Sequence, residues 1–257
     1  LLTSITHEEY FNMAQKIAYV TGGMGGIGTA ICQRLHKDGL LVIAGCGPSR
    51  DYTKWIDEQK ALGYTFYTSV GNVADWDSTV EAFKKTRADY GPIDVLVNNA
   101  GITRDGMFRK MSKDDWDAVM DTNLNSLFNV TKQVIDDMVE RNWGRIVNIS
   151  SVNGEKGQFG QTNYSAAKAG MHGFTMALAQ EVANKGVTVN TVSPGYIGTD
   201  MVRSIRQDVL DKIVATIPVK RLGTPEEIAS MVSWVASEEA GFATGADFSV
   251  NGGLHMG

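Results

Sequence analysis

The sequence of 257 residues predicts an α/β fold: a doubly wound parallel sheet of about seven strands with helices on both faces. Three observations lead there. Strand-like runs recur near 16–21, 40–45, 65–70, 93–97, 144–149, 187–193 and 246–250, with helical patterns between them. A glycine-rich turn joins the first strand to the first helix, and further turns rich in Asn, Ser and Gly fall at later strand ends. No Pro-rich or Ser-rich linker and no repeat interrupts the alternation. The length suits one domain with an ample core.

The first strand candidate, Ile17-Ala18-Tyr19-Val20-Thr21, runs straight into Gly22-Gly23-Met24-Gly25-Gly26-Ile27-Gly28. The stretch from Ile27 to Lys37 is apolar at Ile27, Ala30, Ile31 and Leu35, which is helical spacing. Strand, glycine turn and helix are the context of a dinucleotide-binding, Rossmann-type unit. Glycines there let the backbone turn sharply and approach a pyrophosphate seated on the helix N-terminus. Two registers fit, Gly23-x-Gly25-x-x-Gly28 and Gly22-x-x-x-Gly26-x-Gly28, and the sequence leaves both open.

After the second strand, an NAD-binding unit carries an acid for the ribose 2′-hydroxyl. Here the chain reads Gly45-Cys46-Gly47-Pro48-Ser49-Arg50, and the first acid is Asp51. With no carboxylate to repel a 2′-phosphate and Arg50 able to bind one, NADPH is the expected cofactor. A solvated loop arginine is the competing reading of Arg50.

Tyr164 and Lys168 lie four apart in a segment that reads as helix from Thr162 to Val182, so they share a face. A phenol titrates near 10 when unperturbed, and a neighbouring ammonium favours the phenolate. Such a pair, with the Ser151 hydroxyl, can converge on one carbonyl oxygen and move a proton to it. Alone, the pair also fits a buried tyrosine beside a solvated lysine.

Composition excludes several other functions. A net charge of −5 argues against a general nucleic-acid binder. No apolar run approaches the roughly 18 residues of a membrane span. Two cysteines and four scattered histidines offer neither a metal cluster nor a disulfide framework. Residues 1–12 precede Met13 without a signal-peptide pattern, and read as an extension with no assigned function. Residues 13–257 read as a single dinucleotide-binding domain.

Over residues 16–257 the chain resembles the short-chain dehydrogenase/reductase family, through Thr21-Gly-Gly-Met-Gly-Gly-Ile-Gly28, Asn98-Asn-Ala-Gly101, Asn123, Ser151, Tyr164-Ser-Ala-Ala-Lys168 and Pro194-Gly195. Within the family it resembles the bacterial acetoacetyl-CoA reductases of polyhydroxybutyrate synthesis, through Gly101-Ile-Thr-Arg-Asp105, Asn153 to Tyr164, Pro194-Gly-Tyr-Ile197 and the ending Asn251-Gly-Gly-Leu-His-Met-Gly257. The resemblance implies that Ser151 hydrogen-bonds the 3-keto oxygen, Tyr164 donates its proton, Lys168 favours the phenolate and holds the nicotinamide ribose, and Asn123 positions a water that resupplies the proton. It implies cofactor contacts from Gly22, Gly23, Gly25, Gly26, Ile27 and Gly28, from Gly47 and Arg50, and from Gly71, Asn72 and Val73. Asn99, Ala100, Gly101 and Ile102, then Pro194, Gly195 and Ile197, complete that set with Tyr164 and Lys168. At Asn72 many relatives carry aspartate; an amide oxygen still accepts from an adenine amino group.

By the same resemblance Asp105, Gln158, Phe159, Gln161 and Tyr196 line a short acyl pocket and pantetheine channel, and 13–257 is a reductase domain with a substrate lid at about 197–220. An acyl-CoA carries phosphates, so an acidic protein must gather positive charge for it. Arg104, Arg109 and Lys110 after the Asn-Asn-Ala-Gly turn, and Arg203 and Arg206 in the lid, either serve that or are solvated surface charge. The implied reaction is NADPH-dependent reduction of acetoacetyl-CoA to (R)-3-hydroxybutyryl-CoA in a cytoplasmic homotetramer, with no nucleic-acid or membrane partner. One helix expected from about Ser112 to Val139 is apolar over a wide arc, which suits a subunit interface. A 3-oxoacyl-carrier-protein reductase shares all the chemistry and is the rival reading. A non-catalytic NADP(H) sensor is a third, disfavoured by the presence of both serine and tyrosine.

Overall fold

The computed structural model describes residues 15–203 and 206–256. The expected extension at 1–12, two lid residues at 204–205 and the Arg203 side chain lie outside the described residues. All seven expected strands form: β1 (Ile17–Val20), β2 (Leu41–Cys46), β3 (Tyr67–Val70), β4 (Val95–Asn98), β5 (Gly144–Ile149), β6 (Val187–Pro194) and β7 (Asp247–Val250). They pair in parallel throughout, in the order β3-β2-β1-β4-β5-β6-β7.

Strand side chains alternate between faces, and each face of this sheet has its own core. Ala18, Val20, Val42, Ala44, Val95 and Val97 pack on one side with Ile31, Leu35, Ile228 and Val232. Ile17, Tyr19, Ile43, Leu96, Ile146 and Val189 pack on the other with Val130, Met138 and Val182. Two buried faces explain why the central strands read as unbroken apolar runs rather than alternating ones. The edge strand β7 is only partly covered, and its pattern is mixed.

The first helix, α1 (Gly26–Lys37), follows the glycine turn directly. The next two are α2 (Thr53–Ala61) and α3 (Trp76–Tyr90). The single helix expected from 112 to 139 is instead α4 (Lys113–Met120), a π-turn at Asp121–Asn125, α5 (Ser126–Thr131) and α6 (Ile135–Glu140). Apolar spacing cannot register one extra residue in a turn, which is what a π-turn inserts. Beyond β5 come α7 (Val152–Lys156) and α8 (Thr162–Val182), the latter with the expected bounds. Beyond β6 lie α9 (Asp200–Arg203), α10 (Gln207–Thr216) and α11 (Pro225–Val235). A capping box between Thr224 and Glu227, with Pro225 in the first turn, starts α11.

Strand β1 pairs with β2 on one side and β4 on the other. The chain therefore reverses its direction of travel across the sheet between β3 and β4. A crevice opens at such a reversal, at the carboxyl ends of the strands. The glycine turn after β1 and the Asn98–Gly101 turn after β4 both lie there.

Candidate active site

A cleft of about 700 Å³ occupies this crevice. The glycine turn forms one end of it. Gly22 has φ +61°, a left-handed conformation that favours glycine. A β-carbon on Gly28 would sit 2.2 Å from the Gly22 carbonyl oxygen, so the helix could not approach the turn with any other residue there. Gly23 does not border the cleft; it packs against Ala44 of β2. With Gly22, Gly26 and Gly28 on the cleft, the Gly22-x-x-x-Gly26-x-Gly28 register describes this turn.

Gly25 has only the Gly22 carbonyl oxygen near a would-be β-carbon, at 3.5 Å, so its backbone is open to approach. Helix α1 starts there with no side-chain cap and no acid in its first turn. Free first-turn N–H groups on an uncapped helix beside open glycine backbone fit a pyrophosphate. Ile27, Gly47, Asn99, Ala100 and Ile102 also border the cleft. Asn99 is held by donating from Nδ2 to the Thr21 and Gly22 carbonyl oxygens, at 3.0 and 3.1 Å. Arg50 borders the cleft too, reaching back over the glycine turn to donate to the Met24 carbonyl oxygen at 3.2 Å. Asp51, the first acid after β2, accepts instead from the Thr53 N–H at 3.0 Å.

Gly71, Asn72 and Val73 are not among the residues that line the cleft, although the Gly71 N–H donates to the carbonyl oxygen of the cleft residue Cys46 at 2.9 Å. Gly71 packs on Ala82, the Asn72 side chain accepts from the Ala74 N–H at 3.2 Å, and the Val73 carbonyl oxygen accepts from Asn129.

At the other end of the cleft, Ser151, Tyr164 and Lys168 come together. Ser151 closes β5 and caps α7, its hydroxyl oxygen accepting from the Asn153 N–H at 3.1 Å. Tyr164 and Lys168 project from α8, with the ammonium 5.6 Å from the phenol ring centre. Lys168 is buried and donates to the Ile149 carbonyl oxygen at 2.7 Å. Burial pushes its pKa from 10.5 down to about 7.

Burial also dominates Tyr164 and pushes the phenol up, a hydrogen bond from Ser151 pulls it down, and the Asp105 charge raises it again. The sequence suggested a phenol lowered by its lysine; burial is instead the largest influence on it and acts in the opposite direction.

Asn123 sits in the π-turn, fully buried. Its Oδ1 accepts from the Ile102 N–H at 2.8 Å and its Nδ2 donates to the Ile102 carbonyl oxygen at 2.9 Å. Both ends of the amide thus bond the segment after β4, and Asn123 is not among the residues that line the cleft. A β-carbon on Gly101 would lie 3.3 Å from Asn123 Oδ1 and 3.6 Å from Lys168 Nζ, which shows how closely the three converge.

Pro194, Gly195, Tyr196 and Ile197 form the wall beyond β6. Of the expected substrate residues, Tyr196 and Gln161 border the cleft. Phe159 is 85% exposed, Arg206 pairs with Asp208, and Gln158 accepts from Lys156; none of the three borders it. Asp105 is likewise outside the cleft and accepts from Gln161 at 3.0 Å.

The cleft also contains residues that carry no assigned role in the sequence reading. Asn153 and Ser150 flank Ser151, and Thr199 packs where a β-carbon on Gly26 would be. The hydroxyl of Ser150 donates to the Lys168 carbonyl oxygen at 2.9 Å, tying β5 to α8. Only adjacency to Ser151 could have pointed to the first two.

The family model for short chain dehydrogenases matches residues 16–210. The chain belongs to that family. It is 77% identical to an acetoacetyl-CoA reductase of Cupriavidus necator over 246 residues, 95% of this chain and 100% of the relative. It is 60% identical to nodulation protein G of Azospirillum brasilense, across 95% of this chain and 99% of the relative. An acetoacetyl-CoA reductase of Allochromatium vinosum is 54% identical, across 94% and 99%. Family membership makes the protein an oxidoreductase of the nicotinamide-dependent type. Among the described residues, no helix is long and apolar enough to cross a membrane.

Proposed function

We propose that this protein reduces acetoacetyl-CoA to (R)-3-hydroxybutyryl-CoA with NADPH. The observation that carries the reading is the convergence of Ser151, Tyr164 and Lys168 at one end of a cleft whose other end is a phosphate-fitting glycine turn. The relatives named as acetoacetyl-CoA reductases support the substrate. Arg50 at the cleft edge, with Asp51 turned away into α2, supports NADPH over NADH. The R configuration, a role in polyhydroxybutyrate synthesis and a cytoplasmic homotetramer follow from the family resemblance.

The nicotinamide would supply hydride to the 3-keto carbon. The Ser151 hydroxyl donates to the keto oxygen and stabilises the charge that grows there. Its oxygen accepts from the Asn153 N–H, and its hydrogen bond with the Tyr164 phenol brings the two hydroxyls to one point, where the keto oxygen would meet both. A phenol held protonated by burial is a competent acid, and Tyr164 delivers its proton to the same oxygen. Lys168, which titrates near 7, then returns a proton to the phenolate. Asn123 holds the turn on which this end of the cleft rests.

Replacing Tyr164 with phenylalanine tests the assignment. Turnover of acetoacetyl-CoA should fall by about 10²–10⁴-fold, with NADPH binding retained. Unchanged turnover would remove Tyr164 as the donor.

A further inference from the structure

We propose that Asp105, Gln161 and Asn153 form a polarised relay that fixes Ser151 relative to Tyr164, with the Asp105 carboxylate setting its direction. The proposal rests on the reading of those two residues as the catalytic pair.

Gln161 Nε2 donates to Asp105 Oδ2 at 3.0 Å, and Asn153 Nδ2 donates to Gln161 Oε1 at 2.9 Å. The Asn153 backbone N–H then donates to the Ser151 hydroxyl oxygen at 3.1 Å. A carboxylate can only accept, so Gln161 must turn its NH₂ toward Asp105 and its carbonyl oxygen toward Asn153. Asn153 must in turn spend its NH₂ on Gln161. The other end of the Asn153 amide is therefore an oxygen. That oxygen is buried without a hydrogen-bond partner, in a residue 8% exposed on the cleft wall beside Ser151.

Leaving a buried acceptor unpaired costs stability. The orientation has a chemical return. The Asn153 NH₂ is directed at Gln161 and not at the keto oxygen that Ser151 would serve.

The relay also joins three chain segments that the covalent chain leaves loosely connected. Ser151 lies 13 residues before Tyr164. The link between α7 and α8 turns through Gly157 and Gly160, both at positive φ. Asp105 is clipped to the start of α8 on both sides. The Gly106 N–H donates to the Gly160 carbonyl oxygen at 2.8 Å, and Asn163 Nδ2 donates to the Arg104 carbonyl oxygen at 3.1 Å. The anchor thus moves with the tyrosine helix, and Asn153 carries that position to the serine turn. Asp105 and Asn153 are positioning residues, acting through Gln161 and Ser151.

The test is a reversal of the relay. Asn153→Asp leaves Gln161 between two acceptors with one NH₂ to give, so one bond is lost. In the double variant Asp105→Asn, Asn153→Asp, the new amide donates to Gln161 Oε1 and Gln161 Nε2 donates to the new carboxylate. Steady-state kinetics with acetoacetyl-CoA and NADPH, and melting temperature, are measured for the wild type, both single variants, the double variant and Asn153→Ala.

Asn153→Asp and Asn153→Ala should each lower kcat by about tenfold or more, with the NADPH KM within about twofold of wild type. The double variant should regain at least about fivefold over Asn153→Asp. No regain in the double variant overturns the relay, because the loss then comes from the new charge alone. Losses seen only in melting temperature or NADPH KM overturn it as well. Wild-type inactivity on acetoacetyl-CoA, with turnover of another 3-oxoacyl thioester, would change the substrate reading; the same kcat loss and regain on that thioester would then support the relay, and no regain would overturn it. An active Tyr164→Phe variant would remove the catalytic pair itself.

Discussion

Replacing Lys168 with methionine should stabilise the fold in acid relative to base while it removes activity. The ammonium is buried, and its pKa falls from 10.5 to about 7 on folding. A folded pKa below the unfolded one means that the unfolded chain binds more proton between those values, so stability rises with pH across that window. The charge therefore costs stability in full below about pH 7, and the cost is relieved as pH climbs toward 10.5. The penalty is about 4–5 kcal/mol at pH 6 and about 2 kcal/mol at pH 9. The hydrogen bond to the Ile149 carbonyl oxygen offsets part of it at both pH values.

Asp247 titrates in the opposite sense. Its carboxyl is raised by burial to about 7, so it lowers stability as pH rises from about 4 to 7. It is present in both proteins and cancels in their difference. Urea unfolding at one fixed protomer concentration measures that difference. Between pH 6 and pH 9 the wild type should gain about 2–3 kcal/mol relative to Lys168→Met. Parallel pH dependences in the two proteins would refute the reasoning, since the buried lysine would then be charged in the fold throughout.

Arg50→Ala should raise the KM for NADPH by about tenfold or more and leave that for NADH nearly unchanged; equal changes in parallel titrations would detach Arg50 from the 2′-phosphate. Phe128 of α5 is 60% exposed and stacks on Trp76, itself 42% exposed, with ring centres 5.7 Å apart. Such an apolar pair suits a subunit interface, so sedimentation should give a tetramer for the wild type and smaller species for Phe128→Glu; identical distributions would move the interface elsewhere.

The sheet was legible because its signals are local. Seven apolar runs bounded by turn residues carry their own periodicity, and the α8 pattern from Thr162 to Val182 needs no tertiary information. The π-turn at Asp121–Asn125 was not legible, because it preserves the apolar arc while shifting it by one residue. The Ser151, Tyr164 and Lys168 group could be read from spacing and resemblance, but its electrostatics could not. The groups that act on the lysine and the phenol come from residues far apart in sequence, such as Ile149, which accepts from Lys168, and Asp105, whose charge raises the phenol. Among the glycines, sequence could not separate Gly23, which packs on Ala44, from Gly25, which faces the cleft. Asn153 entered the sequence reading only as one end of the 153–164 stretch, since its side-chain bonds depend on Asp105 and Gln161 arriving from other segments.

The most direct test of the proposed reduction is the initial rate of cofactor oxidation with acetoacetyl-CoA, using NADPH and NADH in parallel and a C8 3-oxoacyl thioester for comparison. Strong NADPH-dependent turnover of the C4 thioester, with little from NADH or on C8, is the predicted result. Weak C4 turnover beside faster reduction of the longer or carrier-bound chain would contradict it.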